Sequence, residues 1–502
     1  MKVAFIFQSF ENLGVEALSA SLKREGHETA LFFDPKLFDD TFYHNGFLSG
    51  LFDTRAKVIR DLVRWEPDVV ALSVLSDLYP WAGDMAQCIK QAYNVPIIFG
   101  GIHPTSVPDV VIENPNVDYV VQGEGDETIV ELVNYIADHA DPSDLPNVWS
   151  KVNGEIKGNP PRPLIRDLDS LPFPDKSLYD HTFVKGTRIY TIMASRGCPH
   201  KCTYCNAALL KEIYSEEKGS AWRARSIDNV IEELKWAQSE DRVGIINFYD
   251  EIFGVNIKWM RQFTPRYRRE IGKPFISCAH PAHCTEEYVE LLKEAGCIKV
   301  DLGVQSTDPT IRKEVLRRNE TNEQIGNAID RFMKAGIFLH VENIFNLPGQ
   351  DEEITREMAR FYNRHRPDCI KIFGLRIFPR TPIEKIAIER GLTTKEQAEQ
   401  NARGVASGLA NLYLGGNLPD RSLFSFQSLF AIMLLLPPTW VDYIVEKRLY
   451  KYLPKRPLYM TIATRMINTQ NWEEDVHKRS YASKYKHYIL ERLKSVFWGS
   501  TK

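Results

Sequence analysis

Short apolar runs and longer amphipathic stretches alternate through residues 1–138. The runs "KVAFIF", "DVVALSV", "VPIIFGG" and "VDYVVQGEG" are mostly apolar and β-branched, as strands buried on both faces of a parallel sheet should be. Helical stretches separate them; "VEALSASLKREG" carries apolar residues at helical spacing and stops at Gly26. The alternation predicts a doubly wound α/β domain. Such sheets bind ligands at the carboxyl ends of their strands. There the chain has Asn12 to Gly14, Ser73 and Ser76, Gly100–Gly101, and Gly123–Glu124–Gly125. One glycine after a strand is equally well a tight turn, but four such ends together point to a large ligand lying over them.

Proline then punctuates the chain. "NPPRPLIRDLDSLPFPD" lies in residues 139–185, which read as a linker laid across a surface, with neither helix nor strand. A second α/β rhythm fills 186–390. Its strand candidates are "IYTIMASRG", "GIINFYDE", "FISCAHP", "CIKVDLGVQS", "FLHVENIFNLPG" and "CIKIFGLRIFP". Six successive β/α units predict a partial TIM-type barrel, with its chemistry at the carboxyl ends of the strands. The rhythm stops over 391–502, a helical or irregular region with 13 Lys and Arg against 6 Asp and Glu from Val441 onward.

Composition narrows the classes. The net charge of −3 gives no basic footprint for nucleic acid. Eight cysteines in 502 residues are too few for a disulfide scaffold. The opening "MKVAFIFQSF" runs straight into a strand and lacks a secretory cleavage site, so a reducing cytoplasm is expected. The most apolar window, from Leu423, is broken by Gln427, Asp442 and Pro437–Pro438, and is no membrane span. It predicts a helical cap that buries its apolar face on the barrel and closes the site. The alternative is an interfacial element whose basic fringe makes a peripheral membrane contact.

Just after the first barrel strand, "RGCPHKCTYC" puts Cys198, Cys202 and Cys205 into eight residues. Structural zinc takes four ligands, usually from two paired clusters. Cys88, Cys278, Cys284, Cys297 and Cys369 form no second pair at that spacing. A redox dithiol leaves Cys198 unexplained. Cuboidal iron–sulfur clusters are held by thiolates, and three ligands leave one iron open to a small molecule.

CxxxCxxC followed by Asn206, with the aromatic Tyr204 before the last cysteine, resembles the radical S-adenosylmethionine (SAM) enzymes over roughly residues 186–385. The resemblance implies that the three cysteines hold a 4Fe–4S cluster whose open iron is chelated by SAM. One electron then cleaves SAM to a 5′-deoxyadenosyl radical, which abstracts hydrogen from the substrate. Asp250 and Glu251 match the acidic end of the family's second strand. Gln305 and Ser306, in "LGVQS", match its fourth-strand "GxES", with Gln in place of the usual Glu. A glutamine still hydrogen-bonds SAM, without charge. "NLPGQDEE" and "IFPRTPIEKIA" match the ends of strands five and six.

An α/β domain joined by "LDSLPFPD" to such a barrel resembles the cobalamin-binding subgroup of this family. Many cobalamin domains follow their first strand with DxHxxG, whose histidine ligates cobalt. Alignment on Gly14 puts Ser9 and Glu11 at the two key positions, so that ligand is absent. His103, in "GGIHPT", is expected at the corrin edge or in a turn, and the Tyr79–Trp81 pair either over the corrin or in the core. The resemblance implies methylation of an unactivated carbon of a small-molecule substrate, SAM serving once as methyl donor and once as radical source. Oxidative ring closure or contraction without methyl transfer is the alternative. An electron donor such as flavodoxin or ferredoxin is implied as partner.

Overall fold

The computed structural model describes residues 1–39, 45–215, 220–405, 424–453 and 476–497. The N-terminal sheet contains β1 (Lys2–Gln8), β2 (Glu28–Asp34), β3 (Val69–Ser73), β4 (Ile97–Gly100), β5 (Tyr119–Val121), β6 (Val148–Val152) and β7 (Glu155–Gly158). Their order is β2-β1-β3-β4-β5-β6-β7. β1 to β5 pair in parallel, and β6 and β7 are antiparallel. β1 is buried from Val3 to Gln8 because apolar layers cover both faces of the sheet.

Three of these strands lie outside the predicted set. β2 is an edge strand, mostly half-buried, so its apolar run is diluted by polar neighbours. The β6–β7 hairpin falls in the segment read as linker. Prolines flank it at Pro146 and Pro160 without interrupting it, and only Val148 and Ser150 of β6 are buried.

The second sheet is the expected six-stranded partial barrel. Its strands are β8 (Ile189–Ile192), β11 (Ile245–Phe248), β12 (Phe275–Ala279), β13 (Cys297–Gln305), β14 (Phe338–Phe345) and β15 (Cys369–Gly374). They are all parallel in the order β15-β14-β13-β12-β11-β8. A short antiparallel pair, β9 (Ser195–Arg196) and β10 (Arg223–Ala224), follows β8.

In the C-terminal region, the helices Phe424–Ile432 and Pro438–Glu446 bury Phe426, Leu429, Phe430, Val441 and Val445 in the barrel's outer core. The helix Val476–Phe497 returns to the first domain, where Tyr488 stacks on Phe33 at 6.2 Å. The basic stretch from Lys455 to Met466 lies outside the described residues. Among the described residues no helix is long and apolar enough to cross a membrane.

Candidate active site

The cysteine loop is fixed from beneath. Gly197 adopts φ +81°, and a Cβ there would stand 2.3 Å from the Ala221 carbonyl oxygen, so only glycine turns the chain here. Thr203 is anchored by its N–H to the Leu316 carbonyl (3.2 Å) and by its hydroxyl to the Val315 carbonyl (2.6 Å). Tyr204 packs against an apolar cluster around Leu316 and Ile344 and accepts from Arg318 Nη1 at 3.1 Å. Cys205 caps the helix Asn206–Ile213, its Sγ accepting from the Ala207 N–H at 3.5 Å. None of the three thiols is in a disulfide. Burial raises the pKa of Cys198 and pushes that of Cys205 up to about 11. Three half-buried or buried thiols close enough to repel one another as anions suit a cationic iron centre, which holds thiols deprotonated. The Oδ1 of Asn206 beside them is buried without a hydrogen-bond partner, an acceptor free for a ligand.

His200, His280 and His283 gather beside this loop. The rings of His200 and His280 stack at 3.9 Å, 10° from parallel, so their lone pairs cannot converge on one ion. His280 Nδ1 accepts from the Ala282 N–H at 3.2 Å. The trio is packed imidazoles; burial lowers all three pKa values, that of His200 to about 4.

A cavity of about 530 Å³ joins this loop to the first domain. Cys198, Cys205, Asn206 and Glu251 line it from the barrel side. Gly14, Ser73, Gly100–Gly101 and Gly123–Gly125 line it from the strand ends. A Cβ at Gly100 would meet nothing closer than 3.9 Å, so the protein's own packing does not demand glycine there. An apolar slot continues past the strand ends between sheet and helices, walled by Phe5, Leu18, Ala71, Ile98, Val121 and Ile129. A flat macrocycle over the glycines with an appended group in the slot fits this shape.

The other predicted residues take different places. Asn12 caps the helix Leu13–Arg24 through Val15 N–H (3.1 Å) and reaches Ser73 Oγ at 3.4 Å. Ser76 bonds His103 Nδ1 at 3.1 Å, and His103 is fully buried against Tyr79, turned from the cavity. Trp81 donates to Asp34 at 3.1 Å in the core and does not face the cavity. Asp250 is buried, accepting from the Ala194 N–H (3.1 Å) and the Ser195 hydroxyl, so it braces β8 and β9. Gln305, at φ +68°, folds back over Gly303, and Ser306 caps the turn at Asp308. Glu124 is held by Arg223 at 2.8 Å and by the Ile165 N–H at 2.9 Å. Glu11 accepts from Thr191 (2.7 Å) and from Lys176 (2.9 Å), which also meets buried Glu16 at 2.7 Å. Burial opposes charge on Lys176, yet the two carboxylates hold its pKa above the ordinary range.

Sequence reasoning missed the cavity's third wall. Leu164, Leu168, Leu171, Pro172 and Pro174 of the proline-rich segment line it. It also missed Arg318, which ties Tyr204 to Glu320 and the Gly303 carbonyl; an arginine in a loop carries no such signal. Among the described residues no histidine lines the cavity.

Comparison with known proteins follows the same division. Residues 192–362 match the family model described as the Radical SAM superfamily, and residues 3–133 the one described as the B12 binding domain. The chain is 28% identical over 382 residues to an uncharacterized methyltransferase of Pyrococcus horikoshii, covering 75% of this chain and 78% of that one. It is 25% identical over 237 residues to the anaerobic magnesium-protoporphyrin IX monomethyl ester cyclase of a Synechocystis species, 46% of each chain. Its fold is similar to that of TsrM from Kitasatospora setae, a radical S-adenosylmethionine methyltransferase solved with cobalamin and a 4Fe–4S cluster bound. The TM-score is 0.62 at 16% identity, covering 89% of this chain and 98% of that one.

Proposed function

We propose the function of this chain from one premise, that it belongs to the radical SAM enzymes that carry a B12-binding domain. It is a cobalamin-dependent radical SAM enzyme whose cofactors are a 4Fe–4S cluster, SAM and cobalamin. Its reaction is the methylation of an unactivated carbon of a small-molecule substrate. The observation that carries this reading is the single cavity lined by Cys198 and Cys205 on one side and by the glycine-rich strand ends on the other.

When bound, the cluster supplies one-electron cleavage of SAM and cobalamin supplies methyl transfer; the chain supplies orientation and dryness. Cys198, Cys202 and Cys205 would hold the cluster. Asn206 and Glu251 face the same cavity and would contact SAM. Gly14, Ser73, Gly100, Gly101, Gly123 and Gly125 would lie against the corrin. Leu168, Leu171 and Pro172 add apolar surface to the cavity wall.

Anaerobic reconstitution with iron, sulfide and hydroxocobalamin, followed by SAM and a reductant, tests the reading. Both 5′-deoxyadenosine and S-adenosylhomocysteine are expected as products. Formation of 5′-deoxyadenosine alone favours the second reading, oxidative ring closure or contraction, which the similarity to the cyclase supports. Neither product would refute both.

Three further parts belong to the proposal. A reduced flavodoxin or ferredoxin supplies the electron. The compartment is the cytoplasm, where free thiols stay reduced. The C-terminal helices cap the barrel, with a peripheral membrane contact as the alternative: Trp440, Tyr443 and Tyr452 are 64%, 60% and 85% exposed, beside Lys447 and Lys451. Co-sedimentation with anionic liposomes at low salt supports that contact, and protein left in the supernatant refutes it.

A further inference from the structure

The two halves of the site are joined by more than the cofactors they share. Arg196, two residues before Cys198, reaches into the first domain. Its Nη1 and Nη2 donate to the two carboxylate oxygens of Asp126 at 2.8 and 2.9 Å. Nη1 also lies 3.6 Å from Glu124 Oε1. Arg223, whose strand β10 pairs with Arg196 in β9, closes on the same Glu124 at 2.8 Å and on the Ile165 carbonyl at 2.7 Å. Tyr214, at the end of the helix that Cys205 opens, accepts from the Glu124 N–H at 3.3 Å. A Cβ on Gly123 would stand 2.0 Å from that hydroxyl, so this position needs glycine to admit the tyrosine.

Segment 123–126 is therefore gripped by both flanks of the cysteine loop. Asp126 is 6% exposed and Arg223 9%. Taking these charges out of water is costly, and apolar residues of similar size would join two domains as firmly. What a bidentate arginine–carboxylate pair adds is fixed geometry. The same segment supplies Gly123 and Gly125 to the cavity wall, so the pair sets the wall's position relative to Cys198.

We propose that Arg196, clamped by Asp126 and Glu124, is a positioning residue that fixes the cluster-bearing loop at a set separation from the cobalamin side of the cavity. The inference rests on the reading that the cavity holds both cofactors, and its test separates the two. The holoenzyme is loaded with cluster and cobalamin, and pulsed electron paramagnetic resonance measures the distance distribution between the reduced cluster and cob(II)alamin. Asp126→Asn keeps the shape and removes the charge; Arg196→Lys keeps the charge and loses the two-pronged donor.

Both variants should retain iron and cobalt at the wild-type stoichiometry, with a broadened distance distribution. The kcat for SAM cleavage should fall by up to about 100-fold, the scale of a misplaced reactant, while the KM for SAM holds. A role in stability alone would lower the Tm and leave the distribution narrow. A loaded variant with the wild-type distribution therefore overturns the inference. Where Asp126→Asn fails to fold, Arg196→Gln, which keeps a polar side chain and removes the charged two-pronged donor, is measured in its place. A broadened distribution then supports the inference, and the wild-type distribution overturns it. Wild-type protein that binds only one of the two cofactors overturns the functional reading and this inference with it.

Discussion

Around Cys198 the chain brings donors together: three thiols in eight residues, held by Thr203 and Tyr204 on a bed of apolar side chains. Around Gly100 it withholds side chains: glycines at the strand ends, an apolar slot behind them, and no histidine among the described residues that line the cavity. On the proposed reading, one cofactor is gripped by bonds and the other by shape. A bonded cofactor must therefore fail at once when a donor is lost, whereas a shape-held one must fail when an atom is added.

The largest effect follows from the donors. Cys198→Ala, Cys202→Ala and Cys205→Ala should each abolish the brown chromophore and the formation of 5′-deoxyadenosine while cobalamin still binds. Iron content equal to wild type in all three would break the comparison on its first side. The second effect comes from adding atoms. Gly100→Val places methyl groups where a Cβ meets nothing closer than 3.9 Å. It should weaken cobalamin binding at least tenfold, about 1.4 kcal/mol, with iron content unchanged. Cobalamin titration followed by its absorbance measures this; unaltered affinity would show that the strand ends do not hold the corrin.

The last effect bears on stability and its pH dependence, leaving cofactor content unchanged, and concerns the brace beneath the cluster strand. Burial pushes Asp250 up to about 7 although Ala194 and Ser195 donate to it. The native state then keeps a proton that the unfolded chain releases near pH 4. Native protein binds more protons across that window, so stability falls as pH rises from about 4 to about 7 and is level above it. The contribution is on the order of 4 kcal/mol. Asp250→Asn should flatten this part of the pH dependence of urea unfolding; a difference from wild type that does not vary with pH would contradict the account.

The two regions were also unequally legible. Cysteine spacing is local, so CxxxCxxC carried its chemistry in eight residues. Apart from the edge strand β2, the parallel strands were legible because burial leaves a nearly unbroken apolar run, as in β1. β6 and β7 were not, because a hairpin at the sheet's edge, flanked by Pro146 and Pro160, lacks such a run. Small and polar residues at four strand ends pointed to a large ligand but not to its walls. Leu168 and Pro172 reach the cavity only because the proline-rich segment folds back over it. The pairing of Arg196 with Asp126 joins residues 70 positions apart, and no local pattern announces it. Likewise Glu11, at the position of an expected cobalt ligand, is taken up by Lys176 and Thr191.

The claim that the corrin is held by shape, with no protein histidine on cobalt, has a direct test in the electron paramagnetic resonance spectrum of enzyme-bound cob(II)alamin. The spectrum should be the same for protein of natural isotopic abundance and for uniformly ¹⁵N-labelled protein carrying unlabelled cobalamin. A change in nitrogen superhyperfine splitting on labelling would put a protein nitrogen on the metal and contradict the account.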